Sequence, residues 1–174
     1  RPTFTTNAQP EVRAFKSNFD DIEGRGAEAF HDGDYELAIE LFKDSVVARP
    51  LDGIAKLNLG HAAFAAGRFE LAAFSIRRGL TLKPEALERQ EELDPRKRYA
   101  DATIYEHQLA RLQSEASEQA NDADLHFLIA YHRYFEGELE DAAKALETAI
   151  ALDPDDDIAR QLYDAAMEQL IDSK

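Results

Sequence analysis

The chain has 174 residues, no cysteine, 44% hydrophobic residues and a formal net charge of −15. That length suits one domain or a short solenoid with a continuous apolar core, and the absence of cysteine removes disulfide frameworks and thiolate metal sites. The acidic balance argues against nucleic acid, whose phosphates call for clustered Lys and Arg, and no apolar run approaches the ~18 residues that insert directly into a bilayer.

The charge is uneven. Residues 1–84 carry 12 acids against 11 bases, residues 85–122 carry 10 against 5, and residues 123–174 carry 13 against 4. The excess in the last third reads as a solvated acidic face, with a basic partner as the sharper alternative. The chain opens at Arg1 without Met or a signal-peptide pattern. It is expected to be a piece of something longer, and cytoplasm and periplasm both stay open as locations.

Residues 1–18 are polar, contain Pro2 and Pro10, and read as an irregular extension. A cadence follows: Gly33, Gly67 and Gly137 are each succeeded 17 residues later by Pro50, Pro84 and Pro154, with Gly-to-Gly steps of 34 and 70. A period near 34 is the mark of stacked helical hairpins. Aligning on Gly and Pro defines units at 19–52, 53–86 and 123–156, each a helix, a tight turn and a second helix. Small residues recur in register, at Gly26, Gly60 and Ala130, at Ala38, Ala72 and Ala142, and at Ser45, Gly79 and Ala149. They allow close helix approach, while Phe42, Ile76 and Leu146 fill the grooves between.

The interval 85–122 is about one further period long. A short helix to Leu93 is broken at Asp94-Pro95, Asp94–Arg98 is expected as an exposed loop, and a second helix runs from Asp101 through Tyr105, Leu109, Leu112 and Ala116. We read 87–122 as a degenerate unit of a continuous array, with a hinge between two half-solenoids as the alternative. Residues 157–174 form one more helix with Ile158, Leu162, Ala165, Ala166 and Leu170 on one side, which suits a terminal cap.

These units resemble tetratricopeptide repeats. The resemblance rests on Leu59-Gly60 with Gly67-Arg68-Phe69, Ala72 and Pro84, and on Gly33-Asp34-Tyr35, Ala38, Phe42 and Pro50, over about 100 residues. It departs from the family at the fourth position, where Ile22, Lys56 and His126 replace a large aromatic, and at Gly24 and Arg25 in the first helix. The resemblance implies an all-α, right-handed solenoid of helix-turn-helix repeats with a C-terminal capping helix. It also implies that the first helices line a concave groove. Carried over by position, partner contacts fall on Phe30, His31, Leu57, His61, Phe64, Phe127, Tyr131 and Tyr134. Packing between adjacent helices is the competing reading for Phe30, Phe64 and Tyr134. Family members that grip chaperone tails use Lys, Asn and Arg against a terminal carboxylate. Here Glu23 and Ala27 occupy two of those positions and only Asn58 matches, so carboxylate capture is not expected.

Catalytic chemistry is thin. No G-x-S-x-G elbow, phosphate-cradling loop or H-E-x-x-H is present. His31, Asp32 and Asp34 read as turn residues, not metal ligands. Asp153, Asp155 and Asp157 lack the Gly and Glu that a calcium loop requires, and read as the start of the next helix. No metal or cofactor is expected, and no enzyme. The function expected is a non-catalytic interaction module of a bacterial protein, taking a peptide or protein segment with apolar anchors and some Lys or Arg. The alternatives are a self-associating scaffold, which would make the chain a homo-oligomer, and a regulatory appendage of a larger protein.

Overall fold

A computed structural model describes the backbone of residues 10–172 and the side chains of residues 20–172. In chain order the helices are α1 (Pro10–His31), α2 (Tyr35–Ala48), α3 (Gly53–Ala65), α4 (Phe69–Leu82), α5 (Gln90–Leu93), α6 (Ala102–Glu118), α7 (Ala123–Glu136), α8 (Leu139–Leu152) and α9 (Asp157–Asp172). Two short 3-10 turns, Pro84–Glu88 and Pro95–Arg98, flank α5. The fold is the all-α solenoid of helix hairpins expected from the period.

Residues 1–9 of the expected irregular extension lie outside the described residues. From Pro10 onward that expectation is corrected, because α1 has already begun. Proline at the first helical position gives up an N–H that has no partner there anyway, and residues 11–18 contain no Gly or Pro to interrupt the turn sequence.

Three hairpins repeat one turn geometry. Gly33, Gly67 and Gly137 have φ of +82°, +73° and +86°, the left-handed conformation open to glycine without strain. Beyond each, the next amide donates five residues back: Asp34 N to Ala29 O at 2.8 Å, Arg68 N to Ala63 O at 2.8 Å, Glu138 N to Arg133 O at 2.9 Å. Asp carboxylates then start the helices. Asp34, Asp52, Asp101, Asp122 and Asp156 each accept from one or two free amides of the first turn. Part of the acidity is therefore helix capping. Inside a hairpin the small residues do what the spacing predicts: a Cβ on Gly60 would meet Ile76 Cγ1 at 2.6 Å, so α3 and α4 lie close enough there that an added side chain would displace Ile76.

The hairpin α7/α8 stacks directly on α3/α4, with α7 against α4, and α9 closes the end against α8. Ala159, Leu162 and Ala166 of α9 face inward while Gln161, Asp164 and Glu168 face water. Arg77 of α4 pins this junction. Its Nη1 donates to Asp124 of α7 at 2.6 Å, its Nε donates to Asp156 at the start of α9 at 2.8 Å, and its guanidinium lies 4.1 Å above the Phe127 ring.

The interval 85–122 consequently does not enter the stack as a repeat of two long helices. Pro84 and Asp94-Pro95 interrupt the backbone before a first helix can lengthen beyond the four residues of α5. Only α6 reaches full length, with Asp101 as its cap and Tyr105, Leu109, Leu112 and Ala116 buried as the spacing predicts. The segment leaves the end of α4, crosses the side formed by the first helices of the hairpins, and returns along α7.

Candidate protein-interaction groove

The face shared by α1, α3 and α7 is where the sequence places its partner contacts, and the structure sorts those contacts into three kinds. Phe30, Phe64 and Tyr134 touch the crossing segment. The Phe30 ring meets Tyr99 edge-on at 5.0 Å between centroids, and Phe64 meets Tyr105 at 6.1 Å. Tyr134 donates to Leu87 O at 2.8 Å and accepts from Gln169, while its own carbonyl accepts from Gln90 at 2.8 Å. His61 and Tyr131 bind each other between α3 and α7, Nε2 to hydroxyl at 3.1 Å. Leu57 and Phe127 face the second helices instead, Leu57 against Gly79 and Phe127 beneath Arg77.

Seven of these eight residues are buried, between 0% and 6% exposed; only His31 is open to solvent. The expectation that they form an open surface is corrected: Phe30, Phe64 and Tyr134 lie under the chain's own residues 84–105, His61 and Tyr131 lie between α3 and α7, and Leu57 and Phe127 lie against the second helices. The expectation of an exposed loop at Asp94–Arg98 is corrected as well. Arg96 and Lys97 are exposed, but Pro95 is buried and Arg98 turns inward. Its Nη1 donates to Asn58 Oδ1 of α3 at 2.9 Å; Asn58 Nδ2 in turn donates to Glu23 Oε2 of α1 at 2.9 Å, and Ser45 of α2 donates to the other Glu23 oxygen. Asn58, the one position that matches the chaperone-tail pattern, thus engages a guanidinium, and Glu23, which argues against carboxylate capture, backs it through Asn58. Burial pulls the Arg98 pKa down, with Glu23 opposing, and the group stays charged. Tyr99 packs among Phe30 and Tyr105, and burial pushes its hydroxyl pKa up.

Beneath the crossing segment lies a buried polar chain. Tyr105 donates its single hydroxyl proton to Glu136, whose other oxygen accepts from Arg133 at 2.8 Å. The 3.1 Å contact of Tyr105 with His132 Nδ1 then requires the histidine to donate, which leaves His132 Nε2 as a bare acceptor, buried and without a partner among the described residues. Burial holds the His132 pKa down at about 3, with Arg133 assisting, and holds His61 well below the ordinary histidine range, with Arg98 and His132 assisting. Both imidazoles are neutral at neutral pH. Burial also pushes the Tyr105 and Tyr131 hydroxyls up and takes Tyr134 to about 12.

Sequence reasoning missed Arg77, Arg98, Tyr99 and His132. Arg98-Tyr99 sits in a basic run with no helical period to say which side chain turns inward. Arg77 and His132 lie within repeats, but nothing in the period distinguishes a bridging arginine from an exposed one.

Stacked helix hairpins with left-handed glycine turns, closed by a terminal helix, define a helical-repeat interaction module. Tetratricopeptide repeat models match residues 24–94 and 123–156, and the chain belongs to the tetratricopeptide repeat family. Among solved structures it is similar to the first TPR of Spaghetti (RPAP3) bound to the HSP90 peptide SRMEEVD, at 16% identity over 88% of this chain and 93% of that one, TM-score 0.40. It is also similar to MamA residues 41-end from Desulfovibrio magneticus RS-1, at 16% identity over 88% and 92%, TM-score 0.39. No curated protein matches the chain. Among the described residues no helix is long and apolar enough to cross a membrane.

Proposed function

We propose that this module binds a peptide or protein segment on the face made by α1, α3 and α7, without catalysing a reaction. The observation that carries this reading is the segment already lying there. Residues 94–101, a single 3-10 turn at Pro95–Arg98 with non-helical flanks, contact α3 through Arg98 and α1 through Tyr99. Aromatic side chains with polar tips, such as Tyr131 and Tyr134, suit such a face because they bury area and still orient a backbone. Binding in trans then requires the covering segment to move aside.

The reading is tested by selecting peptides from a random library on the whole purified chain and mapping each by hydrogen exchange. Selected peptides are expected to slow exchange in α1, α3 and α7 while speeding it in residues 84–101. Peptides that protect only α2, α4 and α8, or a library that yields none, would refute the groove.

A further inference from the structure

The covering segment carries the chemistry of the face it covers. Arg98 reaches the Asn58–Glu23 pair through one hydrogen bond at 2.9 Å, and Tyr99, the adjacent residue, inserts its ring against Phe30 at 5.0 Å. Two neighbouring residues thus satisfy a polar point and an aromatic point that lie on two different helices. Glu23 is placed to favour a cation: it is fixed by Ser45 and Asn58 from both sides, and among the described residues no Lys or Arg of α1, α2 or α3 is bonded to it.

The segment is held by buried side chains, Ala86, Leu93 and Pro95, and by contacts with Tyr134, and not by long helices of its own. Between Leu82 and Ala102 its longest helix is no more than five residues, so few backbone hydrogen bonds hold it in shape, and its ends attach to independently capped helices. Docking requires the Arg98 guanidinium to surrender much of its hydration for one direct hydrogen bond, which limits what docking gains. The hairpins beneath keep their own contacts without it: α7 lies directly on α4, tied by Arg77.

We propose that the groove recognises a segment carrying arginine followed directly by an aromatic residue, and that residues 94–101 are an internal copy of that ligand which masks the site. This rests on the groove reading above. The partner is a protein chain with an accessible Arg-aromatic pair, the arginine seated on Asn58 and Glu23 and the ring on Phe30.

The test uses the whole chain with Arg98→Ala/Tyr99→Ala, and two labelled 12-residue probes followed by fluorescence anisotropy. One probe has the sequence of residues 94–105; the other is the same peptide with its Arg98 and Tyr99 equivalents changed to alanine. The unmodified probe is expected to bind the double variant at least ~10-fold more tightly than it binds the wild-type chain, where the internal copy competes. The alanine probe is expected to bind the double variant at least ~10-fold more weakly than the unmodified probe, and Glu23→Gln on that background to cost the unmodified probe several-fold.

Equal binding of the two probes overturns the inference, as does equal binding to wild type and variant. If neither probe binds while library peptides still footprint α1, α3 and α7, the Arg-aromatic assignment fails and the groove reading stands. If no peptide footprints that face, both fail. Loss of helical circular dichroism in the double variant also overturns the inference, since a segment the fold cannot lose is not a mask. Hydrogen exchange on the wild-type chain decides this independently: amides of residues 84–101 are expected to exchange much faster than those of α3 and α7, and equal protection refutes displacement.

Discussion

Replacing Arg77 with methionine isolates what holds the last hairpin and the closing helix to the rest of the array. Methionine keeps an apolar stem over Phe127 but removes both ion pairs, to Asp124 at 2.6 Å and to Asp156 at 2.8 Å. The two carboxylates fare differently. The Asp124 side chain is 38% exposed and rehydrates, whereas that of Asp156 is 5% exposed. Oδ1 of Asp156 still accepts the Ile158 and Ala159 amides, but Oδ2 loses its charged donor. Breaking a buried pair costs about 3–5 kcal/mol; with one partner rehydrated the expected loss is about 2–4 kcal/mol. At roughly 2–4 °C per kcal/mol for a chain of this size, Tm falls by about 5–15 °C in differential scanning calorimetry. Adding Asp156→Asn to Arg77→Met restores part of the loss, because asparagine still caps α9 and strands no charge. A loss below about 1 kcal/mol for Arg77→Met, or a double variant no better than the single, would refute the argument that a buried charge is left unpaired.

Two glycines in first helices give opposite signs under thermal melting. A Cβ added at Gly24 would meet nothing within 4 Å, so Gly24→Ala stabilises α1 by about 0.5–1 kcal/mol, whereas Gly60→Ala drives its Cβ to 2.6 Å from Ile76 Cγ1 and destabilises by about 1–3 kcal/mol despite better helix propensity. Stability falls on acidification from near pH 6.5 towards pH 3, because the unfolded chain protonates His132 near its ordinary pKa of about 6.5 and the folded chain holds it neutral down to about 3. Fewer protons are bound in the folded state across that window, so stability rises with pH there. The contribution of His132 between about pH 7 and about pH 5 is about 2 kcal/mol, and His61 acts in the same direction. Urea midpoints at the two pH values are expected to differ less in His132→Phe than in wild type; identical differences would remove the buried-histidine argument.

The repeat architecture was legible in the residues because it follows from local chemistry. A left-handed turn selects glycine, a helix start selects aspartate, and a close helix crossing selects a small side chain, so Gly67, Asp52 and Gly60 each report their position without knowledge of any distant residue. The same local logic gave α6 its cap and inward face and set α9 at the end of the stack. What lies against the face of α1, α3 and α7 depends on contacts between residues far apart in the chain. Arg98 and Asn58 are 40 residues apart, Tyr131 and His61 are 70 apart, and Arg77 and Asp156 are 79 apart. No period encodes such pairs, and an arginine in a basic run looks the same whether it faces water or Glu23. Residue order was therefore enough for a stack of hairpins and for the side of it that collects aromatic groups. That α7 follows α4 directly, and that the intervening segment folds back over the aromatic side and covers it, emerged with the packed chain. Hairpin geometry arises within 34 residues, while the burial of the groove is a balance among groups that meet only after the chain has folded.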